Sequence, residues 1–100
     1  MEKPKPNYYA IIPASIRYNK KLPLGAKLMY GEITALSKKE GYCWASNKYF
    51  SELYGVNINT IGRWIKKLKD AGYIKVYVIQ VHNGRERKMY INDSLPTLVN

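Results

Sequence analysis

The most constraining feature of the chain is a four-residue punctuation mark, Tyr54-Gly55-Val56-Asn57. It separates two stretches of helical hydrophobic spacing. Gly55 lets the backbone reverse with φ above zero, Val56 is an apolar plug for the core, and Asn57 is a residue type that starts helices by accepting from free N–H groups of the first turn. Upstream, Ser46 or Asn47 serves as a cap in the same way, and a short helix carries Tyr49, Phe50, Leu53 and Tyr54. Downstream, a longer helix runs from Asn57 to about Ala71 and stops at Gly72. The spacing of Leu24, Leu28, Met29, Ile33 and Leu36 predicts another helix from Leu24 to about Ser37. Pro23 sits at its start, Lys38 and Lys39 suit its C-terminal dipole, and Gly41 supplies a left-handed stop.

After the helices the pattern changes. Residues 73–81 are dense in β-branched and aromatic side chains and read as a strand. Asn83-Gly84 is the strongest short hairpin signal, and residues 88–91 return as the partner strand. Two shorter stretches also read as strand-like, Tyr8 to Ile12 and Tyr42-Cys43-Trp44. Residues 14–23 hold at most one helical turn. Helix, glycine turn, helix and two-stranded ribbon is the order of a winged helix-turn-helix: an α+β fold with a three-helix core and a C-terminal β-hairpin wing. The expected organisation is a basic arm at 1–7, the domain proper at 8–92, and a tail or linker at 93–100.

Charge then narrows the function. Seventeen Lys and Arg oppose seven Asp and Glu, a net +10 on 100 residues. With 46% hydrophobic and 13% aromatic residues, the chain is too apolar for a disordered basic tail. A folded cationic domain attracts polyanions, nucleic acid first and anionic membrane surface second. Enzyme readings find little support. There is one histidine, His82, which reads as a loop residue, and one cysteine, Cys43, which reads as a small buried hydrophobe. No zinc spacing, phosphate-binding glycine loop or nucleophile elbow is present. The scattered acids offer no two-metal site. No cofactor, metal or small-molecule substrate is therefore expected. The absence of disulfide-forming cysteines, of an apolar run of roughly 18–20 residues and of a signal-peptide pattern points to a cytoplasmic, non-membrane protein.

The helix from Asn57 can be tested by angle. At 100° per residue from Ile58, Ile61, Ile65 and Leu68 fall near about 300°, 340° and 280°, so the apolar stripe centres near about 320°. Arg63 lies on the opposite face, with Asn59, Thr60, Lys66, Lys67 and Asp70 within roughly 60°. Arg forks onto guanine and Asn onto adenine in a major groove, while Lys and Thr reach phosphates or base edges. Positive charge recurs in three places: net +3 over residues 57–72, net +2 at the hairpin tip over Arg85, Glu86, Arg87 and Lys88, and net +5 from the arm through Lys27. The candidate DNA-binding residues are Asn57, Asn59, Thr60, Arg63, Lys66 and Lys67 on the helix, and Arg85, Arg87 and Lys88 on the wing. Arg63 and Asn59 are the candidate base readers, the cations the phosphate contacts. The ten tyrosines read mainly as packing residues, with single-strand stacking as the minority role. Trp44 and Trp64 read as packing at the core rim.

Several stretches together resemble a known family. Leu22-Pro23-Leu24-Gly25-Ala26-Lys27-Leu28-Met29-Tyr30-Gly31-Glu32-Ile33, then Gly41 to Asn47, then Tyr54 to Leu68 and Ala71-Gly72-Tyr73-Ile74, are similar to the winged-helix domains of phage and Gram-positive bacterial replication proteins. These include phage replisome organisers and DnaD-like primosome proteins. The likeness covers about residues 8–92. Asn57 stands where the family usually has serine, Ile61 where it has valine and Tyr73 where it has leucine. Gly62 departs from the pattern and weakens its helix by roughly 1 kcal/mol relative to Ala. The resemblance implies origin recognition in phage or plasmid replication, a dimer or higher homo-oligomer, and contact with other replication proteins. Two other readings stand beside it: a winged-helix transcriptional repressor, and a protein-interaction or self-association module without DNA binding.

Overall fold

The computed structural model describes residues 6–92. It contains α1 (Ala14–Arg17), α2 (Leu24–Leu36), α3 (Asn47–Tyr54), α4 (Ile58–Asp70), β1 (Ile74–Val81) and β2 (Gly84–Ile91). The expected arm residues 1–5 and the tail at 93–100 lie outside the described residues.

Local chemistry explains the helix limits. Pro23 precedes α2 in an extended conformation as its N-cap, one position earlier than a first-turn proline. The Ser46 hydroxyl accepts from the Tyr49 N–H and so caps α3, which ends on left-handed Gly55 at φ 67°. Asn57 caps α4 by accepting from the Asn59 N–H at 2.7 Å. Gly72, at φ 84°, turns the chain from α4 into β1.

One apolar core joins the elements. It is built from Ile16 of α1, Ala26, Met29, Tyr30 and Ile33 of α2, Phe50 of α3, Ile61, Ile65 and Leu68 of α4, and Ile74 and Met89 of the hairpin. Phe50 is wholly buried, and burial of a side chain that size contributes on the order of 1.5–3 kcal/mol. The core face of α2 keeps part of the expected stripe. Met29 and Ile33 are wholly buried, but Leu24 and Leu28 are 78% and 53% exposed, and Ala26, Tyr30 and Gly31 lie inward instead. At Gly25 the Trp64 ring lies so close that a Cβ would sit 2.1 Å from it. Small residues allow this close crossing of α2 and α4, and the bulky leucines are displaced outward. Ile58, at the start of α4, also projects past the core and is 45% exposed.

Glu32 is the one buried charged residue among those described. Its carboxylate accepts from the Tyr54 hydroxyl at 2.8 Å and from the Tyr8 hydroxyl. The cluster ties the start of the chain and α3 to α2. Burial, then the adjoining Glu32, push both tyrosine hydroxyls well above the usual phenol range.

Two strand expectations are corrected. Residues 8–12 form no strand: Tyr9 and Ile11 are exposed, and Ala10 and Ile12 lie against Gly31 of α2. Strand composition needs a partner backbone, and here the segment crosses a helix. Residues 42–44 reduce to a single antiparallel bridge, Cys43 with Met89, through hydrogen bonds of 2.8 and 3.0 Å. The hairpin is longer than the 88–91 return predicted. Its loop is His82-Asn83, with Gly84 already paired to Val81. Gly84 takes φ 135°, and among the described residues no non-glycine has positive φ. Glycine is therefore used at the first paired position, not inside the loop.

Candidate nucleic-acid interface

Helix α4 buries Ile61, Ile65 and Leu68 and exposes Asn59, Arg63, Lys66 and Lys67 on the opposite side. Thr60 is half-buried, and its hydroxyl accepts from the Arg63 guanidinium at 3.1 Å. Arg63 thus has one nitrogen held by its own helix and the rest of its fork in solvent. Lys66 reaches Asp70 at 2.9 Å, an exposed ion pair one turn along the helix. Such a pair exchanges readily with an incoming phosphate. Asn57 is exposed, but its Oδ1 is committed to the cap, so it builds the helix start more than it reads a ligand. Lys67 extends the cationic face toward the C-terminus.

The helix presents this face because neighbours pin its other sides. Trp64 is half-buried over Gly25 and meets the Tyr54 ring edge-on at 6.4 Å, so it is a packing residue. Gly62 faces Asn47 of α3, where an added Cβ would meet Asn47 Nδ2 at an ordinary 3.6 Å. Packing does not demand the glycine.

The wing cations separate into three different situations. Arg85 is exposed and pairs in register with Gln80, beside the loop. Arg87 is half-buried: it donates to Asn47 Oδ1 at 2.7 Å and to the Ala45 carbonyl at 2.6 Å. Burial holds its guanidinium below the usual arginine range. It shares a sheet face with buried Met89, two residues on, and fastens the hairpin to the start of α3. That placement corrects the expectation of a cation at the hairpin tip. Lys88 lies 4.7 Å from the centre of the Tyr42 ring, a cation–π contact.

Sequence reasoning did not anticipate the cleft these residues enclose. A cavity of about 430 Å³ lies between wing and α3, lined by Trp44, Ser46 and Asn47 on one side and Arg85, Arg87 and Lys88 on the other. Trp44 is 53% exposed there and packs edge-on against Tyr49 at 5.4 Å, which in turn meets buried Phe50. The signal that finds this cleft is the Cys43–Met89 bridge, which is non-local. Cys43 itself is wholly buried, and burial pushes its thiol up to about 11. Among the described residues no helix is long and apolar enough to cross a membrane.

A glycine-turned helix pair, its second helix cationic on the outer face, followed by an antiparallel hairpin, defines a winged helix-turn-helix protein. The family comparison agrees: a helix-turn-helix domain model matches residues 20–74. That is more than half of the chain, and the protein belongs to this helix-turn-helix domain family. Neither the curated proteins nor the solved structures contain a match to it.

Proposed function

We propose that this domain binds double-stranded DNA sequence-specifically, with α4 in the major groove. The observation that carries the reading is the segregation on α4: Ile61, Ile65 and Leu68 are buried, while Asn59, Arg63, Lys66 and Lys67 face solvent on the second helix of a helix-turn-helix. Arg63 and Asn59 have the donor and acceptor sets to read base edges. Thr60 steadies Arg63. Lys66, Lys67 and Arg85 take phosphates, which position the helix without reading sequence. Asn57 sets the first turn of α4, whose free N–H groups and positive dipole end favour an anion. Arg87 sets the angle of the wing, and Lys88 contributes charge from the sheet. On this reading residues 8–92 form the binding domain, 1–7 add a basic arm and 93–100 serve as a tail or linker.

The resemblance to replisome organisers supports origin recognition in phage or plasmid replication as the biological setting. It also supports a homo-oligomer and further replication proteins as partners, and exposed Leu24 and Leu28 on α2 are suited to self-association. Selection of bound duplexes from a random pool tests the reading. A single enriched motif is expected, and an inverted or direct repeat within it reports two copies of the domain. Recovery of unenriched sequence overturns specific binding. An enriched site that maps to promoters and not to a replication origin replaces the replication setting with repression.

A further inference from the structure

The face of the hairpin turned away from the core carries an aromatic row that duplex binding by α4 does not use. By register, Lys75, Tyr77 and Ile79 of β1 lie beside Tyr90, Lys88 and Glu86 of β2. Buried Ile74 and Met89 have the opposite parity, so this is the outer face. Tyr90 stands between Tyr42 and Tyr77, with ring centres 5.8 and 5.6 Å away. Tyr77 and Ile79 are 51% and 41% exposed. A cavity of about 620 Å³ opens along Lys75, Tyr77, Ile79 and Tyr90. Among the described residues neither Lys75 nor Lys88 is in an ion pair.

We propose that this tyrosine row is a stacking platform for unpaired bases of single-stranded DNA, with Lys75 and Lys88 on its phosphates. Tyr77, half-exposed and braced edge-on by Tyr90, offers a π-surface for an unpaired base, and Lys75 and Lys88 against one acid, Glu86, offer charge to track the backbone. A duplex cannot use them, because its base faces are hidden in its own stack. A second copy of the chain is disfavoured by charge. Apposing this face to itself brings two Lys75 and two Lys88 together with only Glu86 to offset each pair. The strand then lies on the sheet and the duplex on α4, with Lys88 the one residue assigned to both.

The test is fluorescence anisotropy with a labelled oligothymidylate of about ten nucleotides, a length within the range of single-strand modules. A random-sequence duplex is titrated in parallel. The wild type binds the oligothymidylate, and affinity falls with added salt. Tyr77→Ala weakens that binding by about five- to one-hundred-fold, Tyr77→Phe retains it, and neither changes duplex affinity, which also reports an intact fold. Arg63→Ala does the reverse. No binding of oligothymidylate by the wild type, or equal binding by Tyr77→Ala, overturns the proposal. So does a Tyr77→Ala variant whose only change is loss of self-association in sedimentation. If the wild type binds oligothymidylate but no duplex, the platform stands and the reading of α4 falls.

Discussion

Arg87 offers the sharpest separation of a structural role from a DNA-contact role. Its guanidinium donates to Asn47 Oδ1 and to the Ala45 carbonyl at 2.7 and 2.6 Å. Hydrogen bonds from a charged group contribute about 1.5–3 kcal/mol each when shielded. The side chain is only half-buried, so solvent reduces that figure. Arg87→Met removes both bonds and strands the carbonyl of Ala45, a residue with no exposure. The expected loss is about 2–4 kcal/mol. For a domain of this size each kcal/mol moves the melting temperature by about 4–8 °C, so a fall on the order of 10–25 °C is expected. Arg87→Lys is the decisive companion. It keeps the charge but lacks the fork, so it recovers at most one bond and about half of the stability. Thermal melts without DNA, followed by circular dichroism, read both variants. Wild-type melting of Arg87→Met refutes the strut. Full rescue by Lys shows that charge alone matters, as it does for a phosphate contact.

Further substitutions test other parts of the account. Gly62→Ala raises stability by roughly 1 kcal/mol in denaturant titration, because its Cβ meets only Asn47 Nδ2 at 3.6 Å. Lower duplex affinity in that variant identifies a close approach of backbone to DNA. Gly25→Ala drives a Cβ into the Trp64 ring and costs about 1–3 kcal/mol. Asp70→Asn frees Lys66 and removes an acid from the α4 face; tighter duplex binding with unchanged melting is expected, and weaker binding contradicts the role given to Lys66. Cys43, raised to about 11 by burial, remains a thiol below that pH. It stays unreactive toward a thiol reagent at pH 8 in the folded protein and reacts once urea unfolds it.

The parts of the fold legible in the sequence are those set by local chemistry. Ser46, Gly55, Asn57 and Gly72 each act within one helical turn, and α3 and α4 begin and end where these residues imply. The buried and exposed sides of α4 follow the same logic, because one strong stripe of Ile61, Ile65 and Leu68 fixes the rotation of the helix. Helix α2 is legible in part. Met29 and Ile33 of its apolar stripe face inward, but Leu24 and Leu28 do not, and only the crossing of Trp64 over Gly25 decides that. The segment 8–12 has strand composition, but a strand needs a partner that composition cannot supply. Arg87 is the instructive case at the site. Its parity with Met89 places it on the inward face of β2, a relation visible in sequence only after the strand is extended back to Gly84. Trp44 and its cleft depend on the contact between residue 43 and residue 89, which no local pattern encodes.

The central claim is that the exposed face of α4 engages the DNA backbone and bases. Its most direct test is the duplex affinity of the intact protein measured from about 50 to 200 mM salt, for wild type and for the Arg63→Ala, Lys67→Ala double variant. The account predicts a steep linear fall of log K with log salt in the wild type, at about 0.9 per phosphate neutralised. It predicts weaker binding by the double variant, with a slope shallower by about one to two. Wild-type affinity that is flat across the range, or a double variant that matches the wild type in both affinity and slope, contradicts it.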